Sequence, residues 1–296
     1  MISIDDAFLK FKSRLELNEN EQRDASRRQN DLRDNLRDSI AINRDFLTGS
    51  YKRFTKTKPL KDVDVFCVLN EEKEGHFLKT PSRNLLEHFR AILSEKYGKE
   101  NVLIGRRSVT VSFGVKDTES DDKVMSIDVV PAFEIKEGYK IPDPLSKDDW
   151  TKTDPEIHTE KATAANKAFN EQWKPLVKMI KKWNEFHGKP IKPSFLIEVM
   201  ALEILYPPFK GGYEYELKSF FWTAKERIRD VWEDPAGLGQ PVSDQMDETK
   251  CVQAEKELIL AGKNAERAIL LNKNGNTGEA LRVWRENIFG EFFPLS

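Results

Sequence analysis

A chain of 296 residues is long for one small domain and of a length usual for two packed lobes. Its 48 Lys and Arg against 50 Asp and Glu leave a net charge of −2, which argues against a surface given over wholly to nucleic acid but permits a local basic cleft. Two cysteines and four scattered histidines give neither a disulfide framework nor zinc-ribbon spacing, no apolar run nears the length of a membrane span, and the charged start MISIDDAFLKFKSR is unlike a signal peptide; the expectation is a cytoplasmic protein in a reducing compartment, with no membrane partner.

Residues 4 to about 43 are polar, with Leu32, Leu36 and Ile40 at helical spacing and few breakers, which predicts one long N-terminal helix with a narrow apolar stripe. Gly49 and Ser50 follow, then a basic, proline-containing stretch, then DVDVFCVL (62–69), a strand by its β-branched and aromatic content. Leu85, Leu86, Phe89, Ile92 and Leu93 predict a helix that Gly98 ends. NVLIGRRSVTVSFGV (101–115) reads as one or two short strands and DDKVMSIDVVPAFEI (121–135) as another. The proline- and aspartate-rich passage 139–155 reads as an ordered connector. Beyond it the composition turns helical. Two patterns in 159–205 are separated by HGKPIKP, and three more occupy 217–232, 247–271 and 277–287. The fold class is therefore α+β, a strand-rich lobe over 1–158 carrying the N-terminal helix and a helical lobe over 159–296.

Side chains alternate along a strand, so Asp62 and Asp64 share one face at about 7 Å while Val63 and Val65 turn to a core. Asp128, among Ile127, Val129 and Val130, repeats the pattern. If the two strands are neighbours, three carboxylates converge. Their repulsion would be relieved by hard divalent cations, and three carboxylates can hold two such ions about a phosphoryl displacement. A D-x-D pair also arises on ordinary surface strands. Gly49 and Ser50 strengthen the metal reading, because glycine lets backbone approach a phosphate and the adjacent N–H groups and hydroxyl can donate to it.

Gly49-Ser50, Thr55, Asp62-Val63-Asp64 and Asp128 resemble the signature of the polymerase-β-like nucleotidyltransferases. KPLVKMIKKWN (174–184) and KPSFLIEVMALEIL (192–205) resemble the lysine helix and serine-containing helix of the poly(A)-polymerase/oligoadenylate-synthetase-type second lobe. DPAGLGQPVSD (234–244) resembles the loop after them. NAERAILLNKNGNTGEALRVWRENIFGEFFP (264–294) resembles the closing helices of bacterial cGAS/DncV-like nucleotidyltransferases, the CD-NTases. The resemblance spans nearly the whole chain.

It implies a bilobed fold with the active site between the lobes. It also implies two Mg²⁺ ions, with Mn²⁺ as a substitute, and nucleoside triphosphate substrates with ATP among them. The product implied is a cyclic di- or trinucleotide second messenger of antiphage (CBASS) defence, and CBASS regulatory or effector proteins are the implied partners. Asp62 and Asp64 would bind both metals, Asp128 the one that activates the ribose hydroxyl, and Gly49 and Ser50 the donor phosphates. Lys181, two before Trp183 in a Lys-x-Trp arrangement, and Ser194 would contact the triphosphate tail, with Lys182 a rival for Lys181.

The same residues admit structural roles. The lysines could form a solvated helix face, and Ser194 could be a helix N-cap, with or without a phosphate. Arg106 and Arg107 read as a surface pair, Gly237 and Gly239 as turn residues, Tyr213 and Tyr215 as parts of a packed loop, and His158 as an ordinary polar histidine.

The alternative function is a template-independent RNA nucleotidyltransferase of CCA-adding or poly(A) type, which shares the metal core. The near-neutral charge and the C-terminal resemblance weigh against it. A degenerate, non-enzymatic relative is opposed by the intact aspartates. The animal DNA sensor of this superfamily carries a zinc ribbon; this chain has no ligands for one, so zinc-ribbon DNA sensing is not expected.

Overall fold

The computed structural model describes residues 2–115 and 123–296. In chain order, α1 (Ile4–Arg14) and α2 (Glu19–Ser39) precede β1 (Ile42–Thr48), the short α3 (Gly49–Lys52) and β2 (Asp62–Leu69). Next come α4 (Glu71–Glu74), α5 (Ser82–Tyr97), β3 (Val102–Ile104), β4 (Val109–Ser112), β5 (Ser126–Glu134), β6 (Tyr139–Pro142) and β7 (Trp150–Thr153). The remainder is helical: α6 (Pro155–Ala168), α7 (Trp173–Phe186), α8 (Ser194–Ile204), α9 (Tyr213–Arg227), α10 (Glu248–Lys273) and α11 (Thr277–Trp284). Two units result, one of Leu17–Thr159 with Ala236–Gly239, the other of the chain up to Glu16 with Glu160–Pro235 and Gln240–Ser296.

The first unit is built on a mixed sheet of order β1-β2-β5-β4-β3, with β6 and β7 added beyond β5. Only β2 and β5 are parallel among the described pairings; the rest are antiparallel. The two-residue period sorts the side chains. Val63, Val65, Cys67 and Leu69 of β2 and Ile127, Val129 and Phe133 of β5 enter one core with Leu32 and Leu36 of α2 and Leu85, Leu86, Phe89 and Leu93 of α5. Each such side chain contributes about 1.5–3 kcal/mol by leaving water. Phe66, Val68 and Ala132 turn to the opposite face and pack with Tyr139 and Ile141. Asp62, Asp64 and Asp128 share that second face, at the N-terminal ends of their strands. The expected strand from Asp121 begins at Ser126; Asp121 and Asp122 lie outside the described residues.

Three expectations change. The helix foreseen over 4–43 is interrupted before α2, the long N-terminal helix of 21 residues. Asn18 Oδ1 accepts from the Glu21 N–H at 2.8 Å while Glu21 Oε2 accepts from the Asn18 N–H at 2.9 Å, a capping box that starts a new helix there. The polar end of the 4–43 segment, Ile42 onward, is the edge strand β1. The passage 139–155 holds the hairpin β6-β7 rather than a connector alone.

That hairpin explains Arg106 and Arg107, which are not a loose surface pair. Both guanidinium groups clasp Asp143, which is fully buried, at 2.6–3.0 Å. Burial alone would raise the Asp143 pKa, but the hydrogen bonds from the two arginines outweigh it and hold the carboxyl below its usual range.

The second unit buries the aromatic residues of the helical half: Trp173, Trp183, Phe220, Phe221, Trp232 and Trp284 form one core with the alanine-rich face of α10. Helix α1 belongs to this core, although the sequence boundary grouped it with residues up to 158. Phe8 lies 5.1 Å from Trp284, and Phe11 4.6 Å from Phe289, between ring centroids. Apolar matching at Phe8 and Phe11 outweighs proximity in sequence.

Candidate active site

The register puts Thr48 opposite Asp64, Asp64 opposite Asp128, and Asp128 opposite Thr110, so four strands present a single rung. Neighbouring strands run about 4.8 Å apart, which brings the two aspartates side by side. Asp62 lies two residues before Asp64 on the same face. The structure thus gathers Asp62, Asp64, Asp128 and Gly49 in the sheet unit.

Gly49 has a positive φ of 66°, and a Cβ added there would stand 1.7 Å from Asp64 Oδ2. Only glycine permits this approach, so the turn after β1 and the middle carboxylate are fitted to each other. Ser50 anchors the next turn: its carbonyl accepts from the Thr55 and Lys56 N–H groups at 3.0 and 3.1 Å.

The electrostatics are those of a crowded acid cluster. Burial, then Asp62 and Asp128, push Asp64 up to about 7, with Lys56 and Arg53 acting the other way. Asp128 is raised chiefly by burial and further by Asp62, while a hydrogen bond from the Thr110 hydroxyl and the charge of Lys56 oppose it. Asp62 is paired with the Lys56 ammonium.

The donor set is carboxylate and hydroxyl oxygen, the preference of a hard divalent cation, and added positive charge would relieve Asp64. Among the described residues, no group of three His, Cys, Asp or Glu is gathered as a metal site in the present side-chain arrangement. Asp62 is held by Lys56 and Asp128 by Thr110.

Lys56, Arg53, Thr110 and Glu21 escaped the sequence reading. The buried Glu21 carboxylate accepts the Leu60 N–H at 2.8 Å and so ties the loop before β2 to the start of α2. Its signal was the N-x-x-E spacing of a capping box at 18–21. Thr110 was marked only by alternation in VTVS.

Lys181 and Ser194 lie in the helical unit, on α7 and α8. Lys181 Nζ donates to Glu198 Oε1 at 2.7 Å, both groups buried. Lys182 Nζ meets Glu185 at 3.0 Å and lies 3.6 Å from the Phe292 ring centroid. The pair is therefore no solvated face. Ser194 is exposed and is the first helical residue; the N-cap position is Pro193, without a side-chain cap bond. Tyr213 is buried at the start of α9, with Gln172 accepting from its hydroxyl, and Tyr215 is largely exposed. His158 lies on α6, and Gly237 takes a positive φ of 69° in a turn. Both cysteines are free and buried, and burial pushes both thiols up. No described helix is long and apolar enough to cross a membrane.

A mixed sheet that presents paired aspartates against a Gly-Ser turn, joined in one chain to a helical unit, defines a nucleotidyltransferase of α+β class. The chain belongs to the Second Messenger Oligonucleotide or Dinucleotide Synthetase domain family, whose profile matches residues 2–166, and is a bacterial cGAS/DncV-like nucleotidyltransferase. It is 29% identical over 318 aligned positions to a cyclic AMP-AMP-AMP synthase of Acinetobacter sp. (strain ATCC 27244 / 9458), covering 98% of this chain and 85% of that protein. It is 28% identical to a probable cyclic nucleotide synthase of Bacillus cereus (strain VD146), over 83% of this chain and 81% of that one. In fold it is similar to CdnC of E. coli MS115-1, solved with ATP: the TM-score is 0.73 at 18% identity, covering 99% of each chain.

Proposed function

We propose that this chain condenses ribonucleoside triphosphates, ATP among them, into a cyclic di- or trinucleotide second messenger for antiphage (CBASS) defence. The observation that carries the reading is the carboxylate rung: Asp64 beside Asp128, Asp62 on the same face, and Gly49 fitted against Asp64. The similarity to a cyclic AMP-AMP-AMP synthase supports a trinucleotide product and adenine as one base. A similar fold solved as a CdnC:HORMA complex, at a TM-score of 0.71 and 18% identity, supports regulatory protein partners of that kind.

In the proposed reaction a ribose hydroxyl oxygen bonds to the α-phosphorus of a second nucleotide. The bond from that phosphorus to the bridging oxygen breaks, and pyrophosphate leaves. Repetition lengthens the chain, and a last intramolecular attack closes it. Asp62, Asp64 and Asp128 would hold two Mg²⁺ or Mn²⁺ ions, which when bound supply activation of the hydroxyl and neutralisation of charge on the attacking and leaving oxygens. Gly49 and Ser50 present N–H and hydroxyl donors to the donor phosphates. Lys181, steered by Glu198, and Ser194 contact the triphosphate tail, where positive charge eases the departure of pyrophosphate. Positioning and charge neutralisation do most of the work in such transfers.

The test is incubation with all four labelled ribonucleoside triphosphates and Mg²⁺ or Mn²⁺, followed by phosphatase and mass analysis. A phosphatase-resistant cyclic product is expected. Extension of labelled tRNA with no such product would instead assign the chain to the template-independent RNA nucleotidyltransferases.

A further inference from the structure

We propose that Lys56 is a resident counter-cation of the acid cluster, one that a divalent metal must displace from Asp62 and that the nucleotide triphosphate then receives. The inference rests on the metal reading of Asp62, Asp64 and Asp128 made above. Lys56 is paired with Asp62, its side chain is only 15% exposed, and its charge also acts on Asp64 and Asp128. Its backbone is fixed as well. The Lys56 N–H donates to the Ser50 carbonyl at 3.1 Å, within the turn expected to meet phosphate, and the loop's far end is pinned through Leu60 to Glu21. A lysine tethered at both sides and turned onto one carboxylate supplies in part the positive charge that a metal would supply.

This arrangement has a directional consequence. Metal entry at Asp62 takes away the partner of a mostly buried ammonium, which is costly unless another anion takes its place. The triphosphate is the anion that the reaction brings, and Lys56 departs from the same turn that carries Gly49 and Ser50. Metal and nucleotide should therefore bind with positive coupling beyond the metal's own contacts to phosphate, and the coupling is reciprocal. In the nucleotide-free enzyme the lysine would keep the metal weakly held.

The experiment is a Mn²⁺ titration followed by the electron paramagnetic resonance signal of the free ion. It is run on the full chain, without nucleotide and then with α,β-methylene-ATP. Without nucleotide, Lys56→Gln should bind Mn²⁺ on the order of tenfold more tightly than wild type, the scale of one neighbouring charge on a carboxylate site. Lys56→Arg should stay near wild type. The analogue should tighten wild type more than Lys56→Gln, by about the factor that separates the two without it. Melting in EDTA should show Lys56→Gln less stable than wild type, with added Mn²⁺ raising it more. Should Lys56→Gln fail to fold, Lys56→Met keeps the apolar stem and serves in its place.

Equal or weaker Mn²⁺ binding by Lys56→Gln or Lys56→Met than by wild type, alongside abolished binding in Asp62→Asn plus Asp64→Asn, would overturn the counter-cation role and leave the metal site standing. Undiminished binding in the double aspartate variant would overturn the metal reading itself, and the role of Lys56 with it.

Discussion

On α7 three lysines lie within five residues, and each meets a carboxylate: Lys178 with Glu16 at 2.6 Å, Lys181 with Glu198 at 2.7 Å, Lys182 with Glu185 at 3.0 Å. On the sheet, three aspartates share one lysine, one threonine hydroxyl and the more remote charge of Arg53. Both regions concentrate like charge, on one helix or on two adjacent strands, yet only the lysines are matched one to one. Burial, then the charges of Asp62 and Asp128, push Asp64 up to about 7, and Lys56 and Arg53 do not offset them. Charges that serve packing are usually closed off by partners, whereas an unmatched remainder on a rigid sheet is the mark of a group that works with a ligand. The contrast points, on charge alone, to the aspartate cluster as the place proposed to meet a ligand.

The largest effect expected from disturbing this contrast is on the acid cluster. Asp62→Asn with Asp64→Asn should lower product formation at least about 10³-fold, since a metal-dependent transfer loses its ligands. The thermal midpoint should change little, because the relief of repulsion and desolvation at Asp64 is set against the loss of Asp62 as the partner of the Lys56 ammonium. Product yield and circular-dichroism melting check the two halves. Surviving activity would remove the metal assignment, and a collapsed fold would make the aspartates structural. Gly49→Ala comes next, with a loss of about 10²-fold in activity and about 1–3 kcal/mol in stability. Its Cβ meets Asp64 Oδ2, and its φ of 66° strains any other residue.

The clustering of the sheet aspartates was largely legible in the sequence, because a strand's two-residue period by itself assigns each aspartate to a face. What the spacing could not state was that β2 and β5 are neighbours, or that β1 and β4 bring Thr48 and Thr110 onto the same rung. These are non-local pairings. Lys56 was invisible for the same reason: a lysine in a basic loop looks solvated until the loop is seen folded back on Asp62. The later helices of the second unit followed their apolar periodicity, but the first of the two patterns expected in 159–205 is two helices, α6 and α7, broken where Asn170 and Glu171 take positive φ. The break before α2 was missed because a capping box is a local signal inside an otherwise uninterrupted polar pattern. The hairpin β6-β7 was missed because its prolines and aspartates read as turn chemistry, and Asp143 acquires its meaning only with Arg106 and Arg107 against it.

Lys181 tests the other side of the contrast. Lys181→Met leaves Glu198 buried without this partner and should cost about 3–5 kcal/mol in urea denaturation. Lys181→Met with Glu198→Met removes both charges, and stability should return to near wild type. If Lys181 also contacts the triphosphate, the double variant keeps a raised KM for nucleotide despite its restored stability. A double variant with wild-type kinetics would assign the pair to packing alone.

The smallest expected effect concerns Glu214, in the first turn of α9. It is buried, and its Oε2 has no hydrogen-bond partner. Burial, helped by the charge of Asp5, raises its pKa above the usual carboxylate value, though a backbone hydrogen bond opposes this. As pH rises past that usual value, the unfolded chain gives up this proton before the folded one does. The folded state then holds more protons, so stability from this group falls with increasing pH. Glu214→Gln cannot ionise and should be more stable than wild type at pH 7, by about 1 kcal/mol. The gap should close as pH falls through the ordinary carboxylate range, where both states of Glu214 are protonated. Urea denaturation at pH 7 and pH 4 measures it. An equal gap at both values would mean that the gain comes from packing, and that Glu214, unlike the aspartates of the sheet, carries no charge the fold must oppose.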